Sequence, residues 1–224
     1  MPSPADRPQA LVVMRDTRGS ATGWAQRGLG PVTVVPGLVW TLVTPAGPAR
    51  SATPYDDPTT LLGGRPVPRR LRPTACLVAD ADRLTVRVQG SSWRAPQRWV
   101  VWTRGVGLSR VPDLEPAPLA LVARLLSPTR ESAGRLTEVF AQDGRLPASV
   151  GDALLEALLL PGAGVLSGRV DPATLPGAVR VEPQEHLVAR FDAVALDEDQ
   201  AARERGERRE RGERGERGED RGRS

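Results

Sequence analysis

The chain has 224 residues, 31 basic and 27 acidic side chains, and a formal net charge of +4. It contains no Lys, Asn or Ile, which excludes chemistry needing a primary amine: the phosphate-loop lysine, the protein-kinase lysine and any Schiff base. One His and one Cys are too few for a zinc site of soft ligands, and a lone Cys forms no intramolecular disulfide.

The depleted residue types have A/T-rich codons, while Arg, Ala, Gly, Pro, Val and Leu abound. The basicity therefore reads as coding from a G+C-rich bacterial genome more than as a sign of an acidic partner. Met1-Pro-Ser-Pro-Ala-Asp6 offers no basic region leading into an apolar stretch. The most apolar segment, Ala153–Leu166, is broken by Glu156 and Pro161-Gly162, short of the roughly 20 residues of a membrane span. A cytoplasmic protein with no membrane partner is expected.

Residues 1–9 are expected to be disordered. Five runs of Val, Leu, Trp and Thr between Gly and Pro then predict strands: Ala10–Arg15, Pro31–Thr44, Ala75–Ala79, Arg83–Gln89 and Arg98–Arg104. Pro36-Gly37 makes Pro31–Thr44 either two strands or one with a bulge. Leu84, Val86 and Val88 alternate with Thr85, Arg87 and Gln89, the pattern of a strand with one wet face, and Asp80-Ala-Asp82 suggests a hairpin joining it to the strand at Cys76. Pro45–Pro73 is rich in Pro, Gly and Thr, carries Arg65, Arg69, Arg70 and Arg72, and predicts an exposed extended loop.

From Pro116 the period becomes helical, over Pro116–Leu126, Thr129–Gln142 and Ser149–Leu160. Ser127-Pro128 supplies an N-cap and first-turn proline for the second of these, and Ser149 with Asp152 resembles a capping box for the third. Ala178–Val181 and Leu187–Ala195 predict further strands. The succession implies an α+β fold, a mixed or mostly antiparallel sheet with a three-helix segment packed on it. A single domain is expected over 10–198, β-rich over 10–112, helical over 113–165 and returning to strand over 166–198. Residues 199–224 are expected to be a disordered Arg/Glu/Gly tail: Ala201–Ser224 holds nine arginines and seven acids, so its charge nearly cancels and nothing in it is apolar enough to fold.

Few residues point to catalysis. His186 would have to serve as the base for a Ser or for Cys76, no Gly-x-Ser-x-Gly elbow occurs, and Cys76 reads as a small buried hydrophobe. Asp56-Asp57 and Asp80/Asp82 read as turn residues, and no metal or cofactor is expected. Gly105-Val-Gly107 and Gly162-Ala-Gly164 lack the strand–glycines–helix context of a dinucleotide site. The helix Ser149–Leu160, with Asp152 and Glu156 and no Arg, Gln or Asn, cannot read a DNA groove.

The most unusual stretch is Trp93–Arg104, where Trp93, Trp99 and Trp102 interleave with Arg94, Arg98 and Arg104. Aromatics with Arg stack bases or hold anions, although Trp99 and Trp102 point to opposite faces of a strand, so that at least one belongs to a core. Elimination favours a non-enzymatic module that binds protein or regulates. The alternative is association with nucleic acid through Arg65, Arg69, Arg70, Arg72, Trp93, Arg94, Arg98, Trp99 and the tail, and a further alternative is an enzyme using acid or Ser chemistry.

Overall fold

Ala10–Met14 is apolar without a break, as a strand covered on both faces must be, and in the computed structural model all of it is buried. The structure describes residues 9–16, 19–127, 129, 131–142, 144–197 and 200; of the termini expected to be disordered, 1–9 and 199–224, Gln9 instead opens a strand and Gln200 is helical, and the rest lie outside these residues. In chain order the strands are β1 (Gln9–Arg15), β2 (Val32–Val35), β3 (Trp40–Pro45), β4 (Thr74–Ala79), β5 (Arg83–Gln89), β6 (Gln97–Thr103), β7 (Gly107–Ser109) and β8 (Val179–Val181). They form one eight-stranded sheet in the order β7-β6-β5-β4-β1-β3-β2-β8, every pairing antiparallel. The fold is α+β.

Strand alternation sends the side chains to two cores. Leu11 and Val13 of β1, Ala75 and Leu77 of β4, Leu84, Val86 and Val88 of β5, and Trp102 of β6 meet the helices α3 (Leu119–Leu126), α4 (Ser132–Ala141) and α5 (Pro147–Ala157) on one face. Ala10, Val12 and Met14, with Cys76 and Val43, face the other way against two short helices, α1 (Ser20–Ala25) and α2 (Pro58–Gly64). Trp99 and Trp102 do lie on opposite faces: Trp102 is fully buried, and Trp99 pairs in register with Arg87 on the second face.

Pro31–Thr44 is two strands joined at the tip Pro36–Val39, as the Pro-Gly pair allowed. The segment Pro45–Pro73 corrects the sequence reading. It is not an exposed extended loop, because it folds into α2 and a 3-10 turn at Arg69–Leu71 and buries Leu62, Val67 and Leu71 in the second core. Asp57 starts α2 by accepting the N–H groups of Thr59 (3.1 Å) and Thr60 (2.9 Å). The signal was an Asp-Pro start too close to a Gly-Gly end for helical periodicity to show.

Two cap assignments are also corrected. Ser127 ends α3, while α4 begins after Glu131, and Pro128 lies outside the described residues. The helix α5 begins at Pro147 with Leu146 as its N-cap, so Ser149 and Asp152 make no capping box. Asp152 is wholly buried and accepts the N–H groups of Leu166 and Ser167, each at 3.2 Å, pinning the loop after α5.

The return to strand holds for β8, which pairs with β2, and fails beyond it. A second compact unit starts at Glu185, and in it residues 185–197 form a helix, α6, where a strand Leu187–Ala195 was expected. The segment has only two β-branched residues among good helix formers, and Leu187, Phe191 and Ala195, spaced four apart, are its partly buried stripe.

Orphaning a buried N–H costs about 1–3 kcal/mol. Asp152→Ala orphans two, and is expected to lower the unfolding free energy by about 2–4 kcal/mol, read as a drop in urea midpoint at unchanged slope. A shift under about 0.5 kcal/mol, the size of an ordinary surface change, would show that the carboxylate does not hold this loop.

Candidate anion-binding site

Arg87 lies on the side of β5 that alternation marks as wet, yet it is only 8% exposed. Its register partners are Cys76 on β4 and Trp99 on β6. In place of a carboxylate it donates to the carbonyls of Gly64 (3.5 Å) and Arg65 (3.0 Å), and its guanidinium lies 5.8 Å from the centre of the Trp99 ring. Gly64 and Arg65 close α2, where the last carbonyls carry the negative end of the helix dipole. A buried cation thereby finds its counter-charge in backbone, and it fixes where the chain leaves α2.

From that point Arg65 reaches across to α1. Its guanidinium stacks 4.1 Å from the centre of the Trp24 ring and donates to the Trp24 carbonyl, while Trp24 Nε1 donates to Pro66 O at 3.0 Å. Gly28 makes the room: a Cβ there would stand 2.7 Å from Arg65 Nη1 and 3.0 Å from Ala25 O. Burial, and then the neighbouring charge of Arg27, pull the Arg65 guanidinium down to about 10. It stays charged at neutral pH, in a place where charge is disfavoured.

Arg27, Arg65, Arg70 and Arg72 line a concave basin of about 350 Å³ with Trp24, Pro66, Val67 and Pro68. No acid lines it, and among the described residues none of these four arginines is ion-paired. Arg72 spends its Nε on Val67 O at 2.9 Å. Elsewhere among the described residues five arginines do meet an acid: Arg50 and Arg180 pair with Glu182 at 2.6 and 2.7 Å, Arg98 with Glu115 at 2.6 Å, Arg135 with Glu131 at 3.3 Å and Arg169 with Asp152 at 3.7 Å. Uncompensated guanidinium forks around a hollow are the geometry that takes phosphate or carboxylate.

The candidate residues from the sequence divide accordingly. Arg65, Arg70 and Arg72 enter the basin. Arg69 turns away and donates to Ser91 O at 3.4 Å, joining its turn to the one that carries Trp93, which is 69% exposed with Arg94 stacked 4.6 Å from its ring centre. Trp99 is half-buried beside Arg87, and Arg98, in register with Val88, belongs to the opposite face. Sequence reasoning missed Trp24, Arg27 and Arg87. The first two sit at a helix of six residues, too short to announce itself, and Arg87 was legible only as the polar side of an alternating strand.

Other features offer less chemistry. A cleft of about 580 Å³ near β8 holds Asp171 and Arg180, but Asp171 caps the 3-10 turn Pro172–Thr174, and Arg180 is held by Glu182 and Ala46 O. Asp16 accepts the N–H groups of Ser20 (3.0 Å) and Ala21 (2.7 Å). Among the described residues no group of three or more His, Cys, Asp or Glu could hold a metal ion, and no helix is long and apolar enough to cross a membrane. His186 is exposed on α6 in the second unit, at the start of a helix instead of a strand. No family model, curated protein or solved structure matches the chain.

Burial pushes the Cys76 thiol up to about 11, the charge of Arg87 working against it, so at pH 8 the thiol is protonated and inert. Alkylation of the native protein at pH 8 is expected to be negligible and to become fast on unfolding. Arg87→Ala frees the end of α2 above Cys76, and native-state labelling is expected to accelerate at least about tenfold, as if the local opening were about 1.4 kcal/mol easier. Equal labelling rates would show that Arg87 does not hold α2 down.

Proposed function

We propose that this chain is a non-enzymatic interaction module that docks an anionic macromolecule on the second face of its sheet. The acid-free basin of Arg27, Arg65, Arg70 and Arg72 carries the reading. Arg50, Arg98, Arg135, Arg169 and Arg180 each meet an acid, whereas these four converge on one hollow that no acid lines, in spite of their mutual repulsion. That repulsion, and the disfavoured charge on Arg65, are relieved when an anion enters. The carboxylates best placed for acid chemistry, Asp16 and Asp152, are spent on backbone N–H groups, which supports binding over catalysis. The lone buried Cys76 fits a reducing interior, and the module is read as cytoplasmic.

Arg27 and Arg70 are exposed, so reversing their charge leaves both cores intact. Against a panel of polyglutamate and single- and double-stranded oligonucleotides, the full chain is expected to bind at least one member, more weakly as salt rises. Arg27→Glu and Arg70→Glu are each expected to weaken that binding about tenfold and to flatten its salt slope by about one contact. Salt-independent binding, or variants that bind like the parent, would refute the reading.

A further inference from the structure

We propose that the anion is single-stranded nucleic acid, with one base stacked on Trp93 and the adjoining phosphates carried past Arg69 into the arginine basin. This rests on reading the basin as an anion site and names its ligand.

Trp93 is the observation that separates nucleic acid from other polyanions. A tryptophan 69% exposed is a large apolar surface left in water, and Arg94 lies over its ring at 4.6 Å, orienting the indole and adding positive charge beside it. A flat aromatic flanked by guanidinium is a stacking platform for any base. Arg69 Nε bonds to Ser91 O at 3.4 Å, so the turn bearing Trp93 and the turn that leads into the basin are held side by side. The platform and the phosphate site thus belong to one neighbourhood. Arg70 and Arg72, following Arg69 in sequence, line the basin itself.

Competing polyanions use only half of this. An acidic peptide would neutralise the basin and leave Trp93 in water, since carboxylates offer no π face. A duplex presents phosphates, but its base faces are hidden in its own stack, beyond the reach of a surface indole. Unpaired bases joined by phosphates satisfy both elements at once.

The experiment is a fluorescence-anisotropy titration of the full chain with labelled oligothymidylate of about twelve nucleotides, a length within the range such surfaces cover. A duplex and a polyglutamate of matched charge serve as comparators, and circular dichroism confirms that each variant is folded. The expected result is binding of oligothymidylate at least about tenfold tighter than of either comparator. Trp93→Ala is expected to lose about tenfold, the value of one stacked base, and Trp93→Phe to recover most of it. Oligothymidylate binding no tighter than polyglutamate or duplex, or Trp93→Ala within about twofold of the parent, overturns the inference while leaving the anion site standing. Failure of all three ligands to bind overturns both.

Discussion

Arg87 is the constraint on which the second face of this protein depends. It is a guanidinium buried in the sheet without an acid, and a buried charge is tolerated only where it finds compensating acceptors. The carbonyls that meet it belong to the last residue of α2 and the residue after it. The strand therefore specifies where α2 must end, and that end decides the course of the arginine-bearing segment that follows. Arg65 then locks onto Trp24 of α1, so one cation on a strand sets the place of a second at the surface.

The two faces of the sheet are built on different principles. The first is an apolar layer in which α3, α4 and α5 bring Val122, Leu136 and Leu154 onto β4, β5 and β6, held by area more than by direction. The second is covered, among the described residues, by the short helices α1 and α2 and the 3-10 turn at Arg69–Leu71, and arginines with indoles take over where the apolar cover stops. A face closed by directional contacts of cations leaves charge near its rim. An anion-binding basin follows from that mode of closure.

Much of the first face was legible in the sequence, and much less of the second. Leu84, Val86 and Val88 announced their strand by alternation, and the Val–Phe and Val–Leu stripes of α4 and α5 by helical spacing, because each repeats its signal over several turns or pleats. The helices α1 and α2 are too short to repeat anything, and Pro, Gly and Thr concealed α2 inside an apparent loop. Arg87 read as solvated since alternation reports polarity and says nothing about what a distant loop will lay over it. In the other direction, Leu187–Ala195 offered three alternating pairs that were accidental in a segment of helix formers. The arginines at 65, 70 and 72 were visible as a cluster; that they lacked acids around them was a property of the fold, just as Glu115 reaches Arg98 and Glu182 reaches Arg50 only through the folded sheet.

The central claim, that an anionic partner enters among unpaired arginines and not at paired ones, is tested most directly by nuclear magnetic resonance of the arginine Nε–Hε groups during titration with a single-stranded oligonucleotide. The account predicts that the signals of Arg27, Arg65, Arg70 and Arg72 move together and saturably while those of Arg50, Arg98 and Arg135 stay in place. Shifts spread evenly over paired and unpaired arginines, or confined to the paired ones, would contradict it.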